Sequence, residues 1–226
     1  MRFVKFIIGI ALLPFCYALG KVFVAVCVSS PSMTACLLGG AMLAVLFVIK
    51  KGYIGRVYVL LHELNHAMWS AITGNQVKMF YVSRAGGHVE TENYSVIAAF
   101  APYFFSIPMA LLTAVHLILW IAGSIPVWVR YTEYCIAGFI IGWHIVTTVK
   151  VVVQEQSELK QEGLFFSFSA IYAFFFFWNG LFLSVLSPNF YVADFIRLGY
   201  KETIFVLIRC GHLAGSTIEL IWRLLT

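Results

Sequence analysis

Long apolar blocks free of charge, separated by short polar stretches, dominate this chain. Residues 6–20 form one block, closed by Lys21, and 22–49 contain no charged residue. Ser29, Ser30, Pro31 and Ser32 interrupt that second block and predict a turn, with a span at about 34–49. Further charge-free blocks occupy 93–129, 134–149 and 163–193. A helix needs ~20 apolar residues to cross the hydrocarbon core of a bilayer, so each block is a candidate span. Pro102 and Pro108 are expected to kink the span that contains them. The last segment, 203–225, carries Arg209, His212 and Glu219 and would either span or lie along the interface. The pattern predicts an all-α polytopic membrane protein of about six transmembrane helices. It forms a single membrane-embedded domain over 1–226, with N-terminal helices in 1–50, a core in 53–165 and C-terminal helices in 164–226.

Composition removes the alternatives. Only 11% of residues are charged and 62% are hydrophobic, whereas soluble domains carry about 25% charged residues. A water-soluble globule, a disordered chain and a disulfide-stapled secreted domain are excluded. The five cysteines (Cys16, Cys27, Cys36, Cys135, Cys210) show no paired spacing and read as small hydrophobes in helices. The net charge of +5 sets orientation rather than nucleic-acid binding. Arg2 and Lys5 precede the first span, which reads as an anchor rather than a cleaved signal. Lys50, Lys51 and Arg56 follow the second span, and Lys150 and Lys160 follow the 134–149 span. All three clusters belong on one side, expected to be cytoplasmic, in a bacterial inner membrane with the N-terminus inside.

That orientation creates a parity problem. A helix over 53–72 leaves the cytoplasmic side, yet the 93–122 span must leave it as well. Residues 74–92 (GNQVKMFYVSRAGGHVETE) must bring the chain back, or the 53–72 helix must only dip in. The segment is too polar for a lipid-facing helix and holds strand-like pieces at Val77–Val82 and His88–Thr91. Irregular backbone at membrane depth is tolerated only where protein or a wet cavity shields it. A short re-entrant β segment over about 76–91, beside the polar helix, is therefore expected to border a buried aqueous site.

The 53–72 helix carries the chemistry. It reads His62-Glu63-Leu64-Asn65-His66, and residues four apart lie one turn apart on one helix face. Two imidazoles at that spacing can chelate one Zn²⁺, with Glu63 beside them as the base that deprotonates the attacking water. Three ionisable residues within a membrane helix are costly, which points to function. A catalytic zinc needs a third protein ligand. Glu155, Glu158 and Glu162 cluster where the 131–153 span ends, on the side where the HExxH helix begins. Glu158 is the leading candidate, followed by Glu155 and then by Asp194, the chain's single aspartate. His144 stands 14 residues before Glu158, about 21 Å along a continuous helix, and is expected to make a packing hydrogen bond. His116 and His212 read as structural, and Asn179 as a buried interhelical amide. His88, after Gly86 and Gly87, either bonds substrate or forms a turn.

His62-Glu63-Leu64-Asn65-His66-Ala67, followed by Thr73-Gly74, a strand-like stretch and Gly86-Gly87-His88, resembles the site-2 protease family of intramembrane zinc metalloproteases. More narrowly it is similar to the compact bacterial branch lacking PDZ and CBS domains. The resemblance covers about 55–165, and its specific part is the HExxH segment. It implies a zinc-dependent endopeptidase cleaving a membrane-anchored protein, with one zinc held by His62, His66 and a later acid, and with Glu63 as general base. It also implies that a β segment, here Gly86, Gly87 and His88, presents an unwound substrate. The family's acid is an aspartate in an Asp-Gly setting; this chain has no Asp-Gly, and Glu158 falls at about the corresponding place. The expected partners are the substrate, the lipid bilayer and a regulatory membrane protein, with no nucleic acid. Two other classes fit parts of the pattern. A divalent-metal transporter with an HExPHE helix would need Pro at Asn65 and Glu at Ala67. A non-catalytic member of the same family would bind membrane helices without stoichiometric zinc.

Overall fold

A computed structural model describes residues 2–51, 55–83, 86–123, 125–153 and 157–225. The side chains of 51, 157, 158, 213, 214 and 216–225 lie outside that description. Two long apolar helices come first, α1 (Arg2–Cys27) and α2 (Pro31–Lys51), joined by the turn that the serines and Pro31 predict. The polar helix α3 (Gly55–Ile72) leads into a hairpin, β1 (Val77–Val82) antiparallel to β2 (Gly87–Thr91). Helices α4 (Val96–Phe104), α5 (Ile107–Ile121), α6 (Val127–Val153), α7 (Ser157–Glu162), α8 (Leu164–Leu186) and α9 (Val192–Leu225) follow.

Among the described residues, α1, α2, α6 and α8 are each long and apolar enough to cross a membrane, and α4 with α5 makes a fifth if the bent pair is one span. The protein is a helical multi-pass membrane protein with a small sheet. The expected count was about six. Helix α3 falls short because Arg56, His62, Glu63, Asn65 and His66 sit among its apolar residues. The last expected span, 203–225, falls largely on side chains outside the described residues, and the part of α9 before it carries Asp194, Arg197, Lys201 and Glu202. The span with the two prolines breaks rather than merely kinks. Helix α4 ends after Pro102, Ser106 caps α5 by accepting the Met109 N–H at 3.4 Å, and the axes meet at 70°.

Close packing at small residues sets the direction of the long helices. A Cβ at Gly40 would overlap the Cys135 carbonyl, one at Gly138 would overlap the Leu37 carbonyl, and one at Gly142 would stand 2.9 Å from Ala41 Cα. Partners 37 and 41 on α2 thus face 138 and 142 on α6, and the two helices run parallel with their backbones nearly touching. Helices α1 and α8 run parallel by the same logic: Gly9 meets Phe165, the Cys16 thiol donates to the Ser169 carbonyl at 3.3 Å, and Gly20 meets Tyr172. Small residues that let backbones approach are how helices associate where water gives no hydrophobic drive. The first turn of α1 and the last turns of α2 and α6 consequently share one end of the bundle, bringing Lys5, Lys50 and Lys150 to the same end. That agrees with the grouping of the basic clusters.

Two buried polar groups between the spans show what they pair with. His116 on α5 meets Glu133 on α6 at 2.8 Å, both nearly inaccessible. Asn179 is fully buried, but its amide donates to Phe175 of its own helix at 2.9 Å instead of bridging two helices. All five cysteines are free.

Replacing Gly138 with Val forces side-chain atoms into a main-chain carbonyl, and overpacking of this kind costs about 1–3 kcal/mol or more. The unfolding midpoint in detergent should fall by several degrees, at about 2–4 °C per kcal/mol for a chain of this size. Gly39→Ala, with no atom within 4 Å of the new methyl, should leave it unchanged or slightly raised. Equal midpoints for Gly138→Val and wild type would contradict the close α2–α6 contact.

Candidate functional site

The 3.6-residue period of α3 puts Tyr58, His62, His66 and Ser70 along one stripe. On that stripe the two imidazoles turn toward each other, with Nε2 atoms 3.2 Å apart and ring centroids at 4.9 Å. His66 Nδ1 stands 2.8 Å from the carbonyl oxygen of Ala98 on α4. A carbonyl can only accept, so the proton sits on Nδ1 and the Nε2 lone pair faces His62. His62 Nδ1 lies 3.3 Å from the Tyr58 hydroxyl. One assignment satisfies all three contacts: Tyr58 donates to His62 Nδ1, His62 Nε2–H donates to His66 Nε2, and His66 Nδ1–H donates to Ala98. The Tyr103 ring meets His62 edge-on with centroids 5.5 Å apart.

This geometry can be tested against a metal. Zinc–imidazole bonds of about 2.05 Å at a tetrahedral angle separate two ligand nitrogens by about 3.3 Å. The observed 3.2 Å fits, and the backbone carbonyl on His66 Nδ1 is the outer partner that orients metal-ligating histidines. His62 and His66 could therefore share one ion once the proton between them leaves.

Glu63 is 8% exposed and lines the same cavity as the two histidines, a space of about 280 Å³ walled opposite by Gly87, His88, Val89 and Thr91 of β2. A Cβ on Gly87 would overlap Glu63 Cγ and stand 2.8 Å from Oε1. Gly87 is thus required by close approach: the strand lies against the carboxylate. Gly86 is required for a different reason, its φ of +153°, with nothing within 4 Å of where a side chain would begin. His88 borders the cavity from the rim, largely exposed, with Nε2 3.4 Å from Glu90 Oε1.

The acidic ligand candidates fare differently. Asp194 accepts the Tyr191 N–H at 3.0 Å, where it caps α9, and does not line the histidine cavity. Glu155 lies outside the described residues, as does the side chain of Glu158, whose backbone belongs to α7. Helix α7 packs on α4, the helix that bears Ala98. Among the described residues no group of three His, Cys, Asp or Glu converges closely enough to hold a metal. His144 makes a packing contact, as the sequence suggests: its Nε2 lies 3.2 Å from the Tyr103 carbonyl. With His62 and Asn65 it lines a water-sized space of about 20 Å³.

Two contributors escape a motif search. Tyr58 could have been found, because it stands one turn before His62 on the same stripe. The Ala98 carbonyl could not, because a main-chain acceptor leaves no trace in residue identity.

A scan against protein-family models, a search of curated proteins and a search of solved structures each return no match.

The hydrogen-bond pattern fixes an observable tautomer. Imidazole ¹⁵N shifts of the metal-free protein should show His66 protonated at Nδ1, and an Nε2–H pattern there would break the link to Ala98.

Proposed function

We propose that this protein is a zinc-dependent intramembrane endopeptidase of the site-2 protease type. The observation that carries the proposal is the pair of imidazole nitrogens set at a zinc-bite distance, with the Glu63 carboxylate in the same cavity. His62 and His66 would hold the metal, and Glu158 is the proposed third ligand. When bound, zinc supplies a Lewis acid that acidifies water and polarises the scissile carbonyl.

The chain's own residues do the rest. Glu63 takes the proton of the attacking water and delivers it to the amide nitrogen, so that the C–N bond breaks as the new C–O bond forms. Gly87 leaves room for that carboxylate beside the strand. A helix satisfies its own amide hydrogen bonds, so a substrate has to be locally extended for its scissile amide to reach the cavity of about 280 Å³ beside β2. A two-stranded sheet leaves one edge of each strand unpaired, and an extended substrate would add to the free edge of β2. His88 at the rim is placed to meet it.

The substrate class is a membrane-spanning or membrane-anchored protein. The basic end of the bundle, shared by Lys5, Lys50 and Lys150, is proposed to face the cytoplasm of a bacterium by the positive-inside rule. His62 and His66, about two and three turns into α3 from that end, then lie nearer the cytoplasmic surface.

Purified protein should carry one zinc and cut a membrane substrate. Glu63→Gln should keep the zinc while turnover drops about 10²–10⁴-fold, the usual contribution of a positioned base. Undiminished turnover would remove Glu63 from the chemistry. Wild type without zinc would favour the non-catalytic, helix-binding alternative.

A further inference from the structure

An ion pair joins Lys5 of α1 to Glu162 of α7, and neither residue lines the histidine cavity. Glu162 ends α7, and its side chain is 4% exposed; the Lys5 side chain, in the first turn of α1, is 21% exposed. A buried carboxylate persists when a cation answers it, and among the described residues Lys5 is the cation bonded to this one. The same short helix is pinned twice more. Leu159, 2% exposed, packs into the core, and its carbonyl accepts both the Ser167 hydroxyl at 3.1 Å and the Gly163 N–H at 3.1 Å. Helix α7 in turn contacts α4, whose Ala98 orients His66. Six residues would not hold a helix in isolation; tertiary contacts decide where this segment sits.

We infer that the Lys5–Glu162 pair is a clasp by which the N-terminal helix holds α7, and with it the backbone of Glu158, against α4, the helix whose Ala98 carbonyl orients His66. Lys5 and Glu162 are positioning residues, acting through α7. The inference rests on the zinc reading above. The other ion pair on α1, Lys21 with Glu202 at 2.8 Å, engages α9 and leaves Lys21 half exposed, so it serves as the control.

Three variants test this. Lys5→Met/Glu162→Gln removes both charges without stranding either in the interior. Lys5→Glu/Glu162→Lys restores the pair in reverse, and Lys21→Met breaks the control pair. In the metal-free protein, amides of 157–162 should exchange hydrogen at least 10-fold faster in the neutral double variant, and near the wild-type rate in the swap. Zinc affinity, read by competition with a chelator, should fall about 10–100-fold in the neutral variant, the usual effect of losing an outer positioning contact. It should recover in the swap and stay unchanged in Lys21→Met. Wild-type exchange and affinity in the neutral double variant overturn the clasp, as does a swap no better than that variant. Failure of the wild-type chain to bind zinc at all overturns the underlying zinc reading instead. Faster exchange confined to 157–162 would still show the clasp holding α7.

Discussion

The 2.8 Å hydrogen bond from His66 to the Ala98 carbonyl joins the polar helix to the broken span, and the site depends on it. An imidazole on a helix can rotate about two side-chain bonds and present either nitrogen. Donating Nδ1–H to a fixed carbonyl removes that freedom and leaves one lone pair, aimed at His62. The acceptor stands where it does because α4 begins at the Ser95 cap and stops before the 70° turn into α5. A straight span through 96–121 would carry the chain past α3 on a different line.

The carboxylates inside this bundle each sit against a specific neighbour. Glu63 touches the one strand residue without a side chain, Glu133 meets His116, and Glu162 meets Lys5. The surrounding frame consists of two parallel helix pairs, α1 with α8 and α2 with α6, each closed over glycines. Against this frame pack the broken span, through α4 and α5, and the polar helix α3, with the hairpin resting on α3. The hairpin also addresses the return of the chain, since β1 runs back from the end of α3 until its Val82–Gly87 end lies level with Glu63.

Most elements were legible from charge-free blocks and from turn residues at Ser29–Ser32, and the strands fall within a residue of the expected pieces. The charge-free blocks left the span count open: α3 is helical but broken up by polar side chains, and much of 203–225 lies outside the described residues. Asn179 shows a second limit. An amide in an apolar run signals burial, but its choice between a neighbouring helix and its own carbonyls depends on the packing around it.

Spacing along one helix determined the candidate chemistry: His62 and His66 share a face whatever the rest of the chain does, because 3.6 residues make a turn, and Glu63 follows directly beside them. The glycine pair at 86–87 was visible too, but not its meaning. Only the folded chain separates the two, one needed for a backbone angle and the other for the carboxylate lying against it. Tertiary structure likewise decided that a carbonyl from residue 98 turns His66 and that residue 5 reaches residue 162. Contacts between parts of the chain so distant in sequence arise from how whole helices pack, and no local pattern encodes them.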